Sequence, residues 1–147
     1  MKLKRYWNEA FTWLENLYLG WIIRISLFAI YFWFGAVKLT GLSQATPLAR
    51  ALTTNTIGAR YFATSFIVLA VIECIIGILF LIPKLTRVTV LIALIHMTIV
   101  CSPLILVPGM AWQRLLVPTI EGQYIIKNLA LVSLMLALLK ENRQKST

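Results

Sequence analysis

Four stretches of the chain are almost continuously apolar, and the polar positions inside them are few enough to name. The first, 21–37, is interrupted by Arg24 and Ser26. The second, 62–82, holds Glu73 among twenty-one residues that are otherwise apolar apart from Thr64 and Ser65. The third, 88–107, carries His96 and a late Pro103, and the fourth, 124–139, is short and carries Lys127 and Asn128. Runs of about twenty apolar residues span a bilayer as helices; the fourth needs its flanks or a thinner local bilayer. The link 83–87 is short, which makes the second and third helices antiparallel neighbours. Loops 38–61 and 108–123 are longer. Segment 6–19 has a different pattern: Trp7, Phe11, Leu14 and Tyr18 recur at threes and fours, with Asn8, Glu9, Glu15 and Asn16 elsewhere. That predicts an amphipathic helix lying at a membrane interface; a continuous extension of the first span is the alternative.

The expected fold is therefore all-α, an integral membrane four-helix bundle with an N-terminal interfacial amphipathic helix. Residues 1–20 form the cytoplasmic amphipathic segment, 21–139 the four-helix transmembrane domain, and 140–147 a basic cytoplasmic tail.

Composition agrees with this pattern. The 147 residues are 60% hydrophobic and 13% charged, with a mean hydropathy of +0.84. A water-soluble domain is about 45–50% apolar and about 25% charged, so the apolar surplus here has no small soluble core to fill. The net charge of +9 does not imply nucleic acid, because the basic residues collect at segment ends. There they set orientation. Lys2, Lys4, Arg5, Lys84, Arg87, Lys140, Arg143 and Lys145 fall on one side, against Lys38, Arg50, Arg60 and Arg114 on the other. Both termini are expected in the cytoplasm. Arg24 is expected as an anchor leaning out into the headgroups. Cys74 and Cys101 lie in apolar runs without a C-x-x-C spacing and are read as small core residues.

The candidate chemistry is a handful of intramembrane polar groups, which are costly there and tend to face an interior. Glu73 and His96 each lie eleven residues from one end of their runs, a depth of ~16 Å at the ~1.5 Å helical rise. On adjacent antiparallel helices they stand at one level, where a shared proton would leave no net buried charge. A His bonded to a helix carbonyl is the other reading. Lys38 closes the first helix, and the lean of helical side chains toward the N-terminus carries it into the bundle; a snorkelling interfacial lysine is its alternative. Lys127 leans toward the surface, bordering a vestibule with Asn128. Together these groups suggest a polar cavity with Glu73 at its floor, fit for the head of an amphipathic ligand such as a quinone, or a structural ion pair. No metal cluster, haem-ligand pair, nucleotide-binding glycine motif or nucleophile triad is present, so no intrinsic cofactor or self-contained catalytic motif is expected.

Three stretches resemble the DoxX family of small four-helix inner-membrane proteins. Phe32-Trp33-Phe34-Gly35-Ala36-Val37-Lys38-Leu39-Thr40-Gly41 is similar to the aromatic–Gly–x–x–Lys end of the family's first helix. Glu73-Cys74-Ile75-Ile76-Gly77-Ile78-Leu79-Phe80 with Thr86-Arg87 resembles its Glu-x-x-x-Gly helix and the turn that follows. Tyr124-Ile125-Ile126-Lys127-Asn128-Leu129-Ala130-Leu131 is similar to its Lys-Asn/Asp start of the fourth helix. Leu39-Thr40-Gly41-Leu42 departs from the subgroup linked to reactive-chlorine resistance. The resemblance implies an inner-membrane protein and carries over Lys38, Glu73, Lys127 and Asn128 as the family's polar positions. It also implies an accessory membrane subunit of a quinone-linked or oxidative-stress redox system, with the lipid bilayer, a quinone or small amphipathic ligand, and a redox partner subunit or second copy as partners. A non-catalytic scaffold or assembly factor is the main alternative, and a small-solute permease the weaker one.

Overall fold

The computed structural model describes residues 19–144; the segment 6–19 expected as an interfacial helix lies outside these residues except for Leu19, as does the end of the tail. The elements in chain order are α1 (Leu19–Leu39), α2 (Thr46–Thr56), α3 (Phe62–Phe80), α4 (Thr86–Cys101), two single-turn helices α5 (Pro103–Leu106) and α6 (Pro108–Ala111), strands β1 (Trp112–Arg114) and β2 (Val117–Pro118), and α7 (Ile120–Gln144). Four helical stretches are long and apolar enough to cross a membrane: Leu19–Leu39, Ala59–Phe80, Pro83–Leu106 and Ile120–Arg143.

These four alternate in direction. α1 packs most extensively on α3, α3 also on α4, α4 on α7, and α7 back on α1. The chain thus has an Arg24 end and a Lys38 end. Ile23, Leu27, Tyr31, Ile76, Phe80, Val90, Ala93, Met97, Met135 and Leu138 form the core between them. The contact of α1 with α3 depends on two glycines. A Cβ on Gly35 would stand 2.7 Å from both the Ala70 carbonyl oxygen and the Cys74 sulfur, and one on Gly77 2.8 Å from the Phe32 backbone nitrogen. Small residues at such crossings let two backbones approach closely.

Local chemistry sets where the helices stop. α1 ends at a turn in which the Gly41 N–H donates to the Lys38 carbonyl at 3.2 Å, with Gly41 at φ 76°; glycine takes that left-handed conformation without steric cost. Pro83 opens a 3-10 turn (Pro83–Leu85) between α3 and α4. Pro103 follows the break at Ser102, so the expected run 88–107 becomes α4 plus a separate turn. The Thr119 hydroxyl accepts from the Gly122 N–H at 3.0 Å, a side-chain N-cap that starts α7 at Ile120, ahead of the expected 124. α7 continues to Gln144, so residues 140–144 are helical and continuous with the fourth helix.

The two longer loops are also structured. α2 lies within 38–61 and packs on α3 and on α5. Within 108–123, β1 and β2 pair antiparallel, and Leu115 and Leu116 at the hairpin tip are 91% and 80% exposed.

Candidate functional site

Polar and small residues mark the inward faces. On α1, Gly20, Arg24, Leu27, Tyr31 and Gly35 are buried and Lys38 continues the same stripe. On α3 the stripe is Ala70, Glu73, Gly77 and Phe80, and on α4 it is Thr86, Thr89, Ala93 and His96. The outward positions are aliphatic or aromatic: Trp33, Ile67, Ile75, Leu91, Ile95 and Leu129 are all exposed.

Glu73 is 5% exposed. The Lys38 ammonium, on a side chain 9% exposed, donates to Glu73 Oε2 at 2.5 Å. His96 Nε2 stands 3.5 Å from Glu73 Oε1. That contact is electrostatic: the imidazole makes no direct hydrogen bond, and 3.5 Å is beyond the usual N–H···O range. The carboxylate therefore has a lysine from α1 on one oxygen and a histidine from α4 on the other. The Tyr31 ring packs beside His96, with centroids 5.7 Å apart, and beside Phe80 at 5.8 Å. Tyr31 is a member of this cluster that the sequence reading missed; its signal is the stripe of threes and fours it shares with Arg24, Gly35 and Lys38.

Asn128 and Lys127 are placed differently. Asn128 is half-buried on α7, with its side chain interacting with the Cys101 thiol. Lys127 is exposed, its ammonium 5.0 Å from the centre of the Tyr124 ring. The structure thus brings Lys38, Glu73 and His96 together, sets Asn128 beside Cys101, and leaves Lys127 at the periphery. The carboxylate is enclosed, whereas the sequence suggests a cavity with Glu73 at its floor. Two recesses on the surface lie away from it. One is formed by the hairpin residues Trp112, Gln113, Arg114, Leu115 and Leu116. The other, about 100 Å³, lies at the Arg24 end between Gly20, Trp21, Arg24, Pro83, Glu141 and Asn142.

Arg24 corrects an expectation. It does not lean out as an anchor but is buried, 6% exposed. Its guanidinium donates to the Phe80 carbonyl at 3.0 Å and to the Thr86 hydroxyl at 2.7 Å, and that hydroxyl donates on to the Pro83 carbonyl at 2.7 Å. The Phe80 carbonyl that closes α3 needs a partner from outside the helix, whereas Ile78 and Leu79 accept from the Leu81 and Ile82 N–H; it also lies at the negative end of the helix dipole. A guanidinium answers both needs, and that draws Arg24 inward. Among the described residues, no three His, Cys, Asp or Glu side chains are grouped to hold a metal ion. Comparison of the chain with protein-family models, with curated proteins and with solved structures gives no match in any of the three.

Proposed function

We propose that this chain is a DoxX-like, multi-pass inner-membrane protein, a four-helix bundle in the bilayer with both termini in the cytoplasm. In this reading it serves as an accessory membrane subunit of a quinone-linked or oxidative-stress redox system. The observation that carries the reading is Glu73, buried and bracketed by Lys38 and His96 from two other helices. An ionisable group at that depth in a spanning helix is a functional-site candidate by default. The inside-out distribution, with charged and hydroxyl side chains inward and Trp33, Leu91 and Leu129 outward, supports the membrane setting. The three motif stretches support the family.

The site's chemistry suits a small polar head on an apolar tail. Lys38 supplies a donor and a positive charge, Glu73 an acceptor that can exchange a proton, and His96 and Tyr31 a ring nitrogen and a phenol. The apolar faces around them suit the tail. Binding of a quinone analogue to purified wild-type protein and to Glu73→Gln tests this. Tenfold or greater weakening in the variant is expected; equal affinity removes Glu73 from the site.

A second reading is favoured by the enclosure of the carboxylate. A Lys38–Glu73–His96 staple across α1, α3 and α4 would fix helix register in a non-catalytic scaffold or assembly factor. Glu73→Gln would then lower stability or partner recovery in mild detergent and leave redox chemistry unchanged.

A further inference from the structure

The Lys38–Glu73 pair sits beside three interior polar atoms with no hydrogen-bond partner: the Tyr31 hydroxyl and both ring nitrogens of His96. Tyr31 is 3% exposed and His96 4%. A buried polar group left unpaired is costly, and internal water is the usual remedy. The atoms occupy one neighbourhood. His96 Nε2 is 3.5 Å from Glu73 Oε1, so a water bonded to both would sit beside the pair and not between them. The Tyr31 hydroxyl lies within electrostatic range of both Glu73 and Cys101.

The groups facing this neighbourhood come from every element around it. α1 contributes Tyr31 and Lys38, α3 contributes Glu73 and Cys74, and α4 contributes His96 and Cys101. α7 places Asn128 beside Cys101, while its Lys127 stands over Tyr124. α2 packs on α3 with Arg50 stacked on the Phe62 ring, 4.1 Å from its centre. Lys38 is thus the cation in direct contact with Glu73. It occupies the last turn of α1, next to exposed Leu39 and Thr40, and its flexible stem can carry the ammonium out to headgroup level.

We infer that Tyr31, His96 and Glu73 enclose a hydrated proton-binding site that Lys38 closes. When the Lys38 ammonium swings outward, one positive charge leaves the interior. A hydronium ion at the Lys38 end then gives up one proton and becomes water. Through the bound water that proton ends on Glu73 Oε1 or His96 Nε2, forming one O–H or N–H bond. With His96 neutral, the interior begins and ends with no net charge, and no electrons move. This site goes beyond the redox reading and holds whether or not a quinone binds.

The chain has one histidine, so ring-nitrogen labelling of the full chain in lipid nanodiscs reports His96 alone. Wild type is expected to show magnetisation transfer from water to the His96 ring. Lys38→Met is expected to hold one proton more in its interior. That proton appears either as a doubly protonated His96 ring or as a protonated-carboxyl infrared band lost in Lys38→Met/Glu73→Gln. A ring without water contact in wild type, or Lys38→Met with a neutral ring and an ionised Glu73, overturns the proposal. If Lys38→Met does not fold, Tyr31→Phe decides. Removing a hydroxyl that binds water lowers the thermal midpoint, by about 2–4 °C for each kcal/mol lost. Removing a dry, orphaned hydroxyl leaves the midpoint unchanged or raises it, and either result overturns the proposal.

Discussion

Arg24 and Glu73 occupy opposite ends of one interior, and each is held by groups from other helices. Arg24 makes two charge-assisted hydrogen bonds across the α1–α3–α4 junction. Bonds to charged groups contribute about 1.5–3 kcal/mol each. Arg24→Met should therefore lower unfolding free energy by about 3 kcal/mol. Arg24→Lys should recover only part of it, since an ammonium lacks the planar fork that reaches a carbonyl and a hydroxyl together. Chemical unfolding in detergent micelles measures both, and a Met variant as stable as wild type would show that the guanidinium does not cap α3. Removing one partner of a buried ion pair costs about 3–5 kcal/mol. Glu73→Gln should fall at the low end, because the Lys38 ammonium it strands can reach the surface. Double-mutant coupling with Lys38→Met checks whether the two act as a pair.

At the scale of elements, the α1–α3 crossing is the most extensive contact. Gly35→Ala places a methyl against the Ala70 carbonyl and the Cys74 sulfur, and Gly77→Ala places one against the Phe32 backbone. Backbone cannot yield as a flexible side chain does, and overpacking of this kind costs about 1–3 kcal/mol. Each variant should lower the thermal midpoint, and the double variant should push the helices apart enough to lengthen the Lys38–Glu73 bond. Crosslinking between α1 and α3 reads that displacement; unchanged crosslinking efficiency would show that the helices tolerate the extra methyls. The elements that escaped the sequence reading have physical reasons. α2 is rich in threonine and carries an asparagine, residues of middling helix propensity, and no continuous apolar run marks it. The hairpin has strands of three and two residues, too short for an alternating pattern to register.

For the whole molecule, the distribution of basic side chains predicts its sidedness. In the proposed topology both termini and the 83–87 link share the basic side, which would turn the hairpin tip outward. A cysteine introduced by Leu115→Cys, 91% exposed in the wild-type fold, should react with a membrane-impermeant maleimide in intact cells, whereas one at Lys140 should react only after lysis. The reverse pattern would invert the topology. The sequence alone determined that four helices exist, roughly where each runs, which ends carry the positive charge, and that Glu73 and His96 lie at one depth. Those properties follow from run length, from charge position and from a fixed rise per residue, all of which are local. Tertiary structure decided which faces meet: Arg24 turned inward, Tyr31 joined the cluster, and Lys38 and His96 took opposite oxygens of Glu73. A helix that is apolar all round carries no amphipathic mark of its buried face. Only the small and polar residues on its interior stripe do, and their meaning appears when a second helix is packed against them.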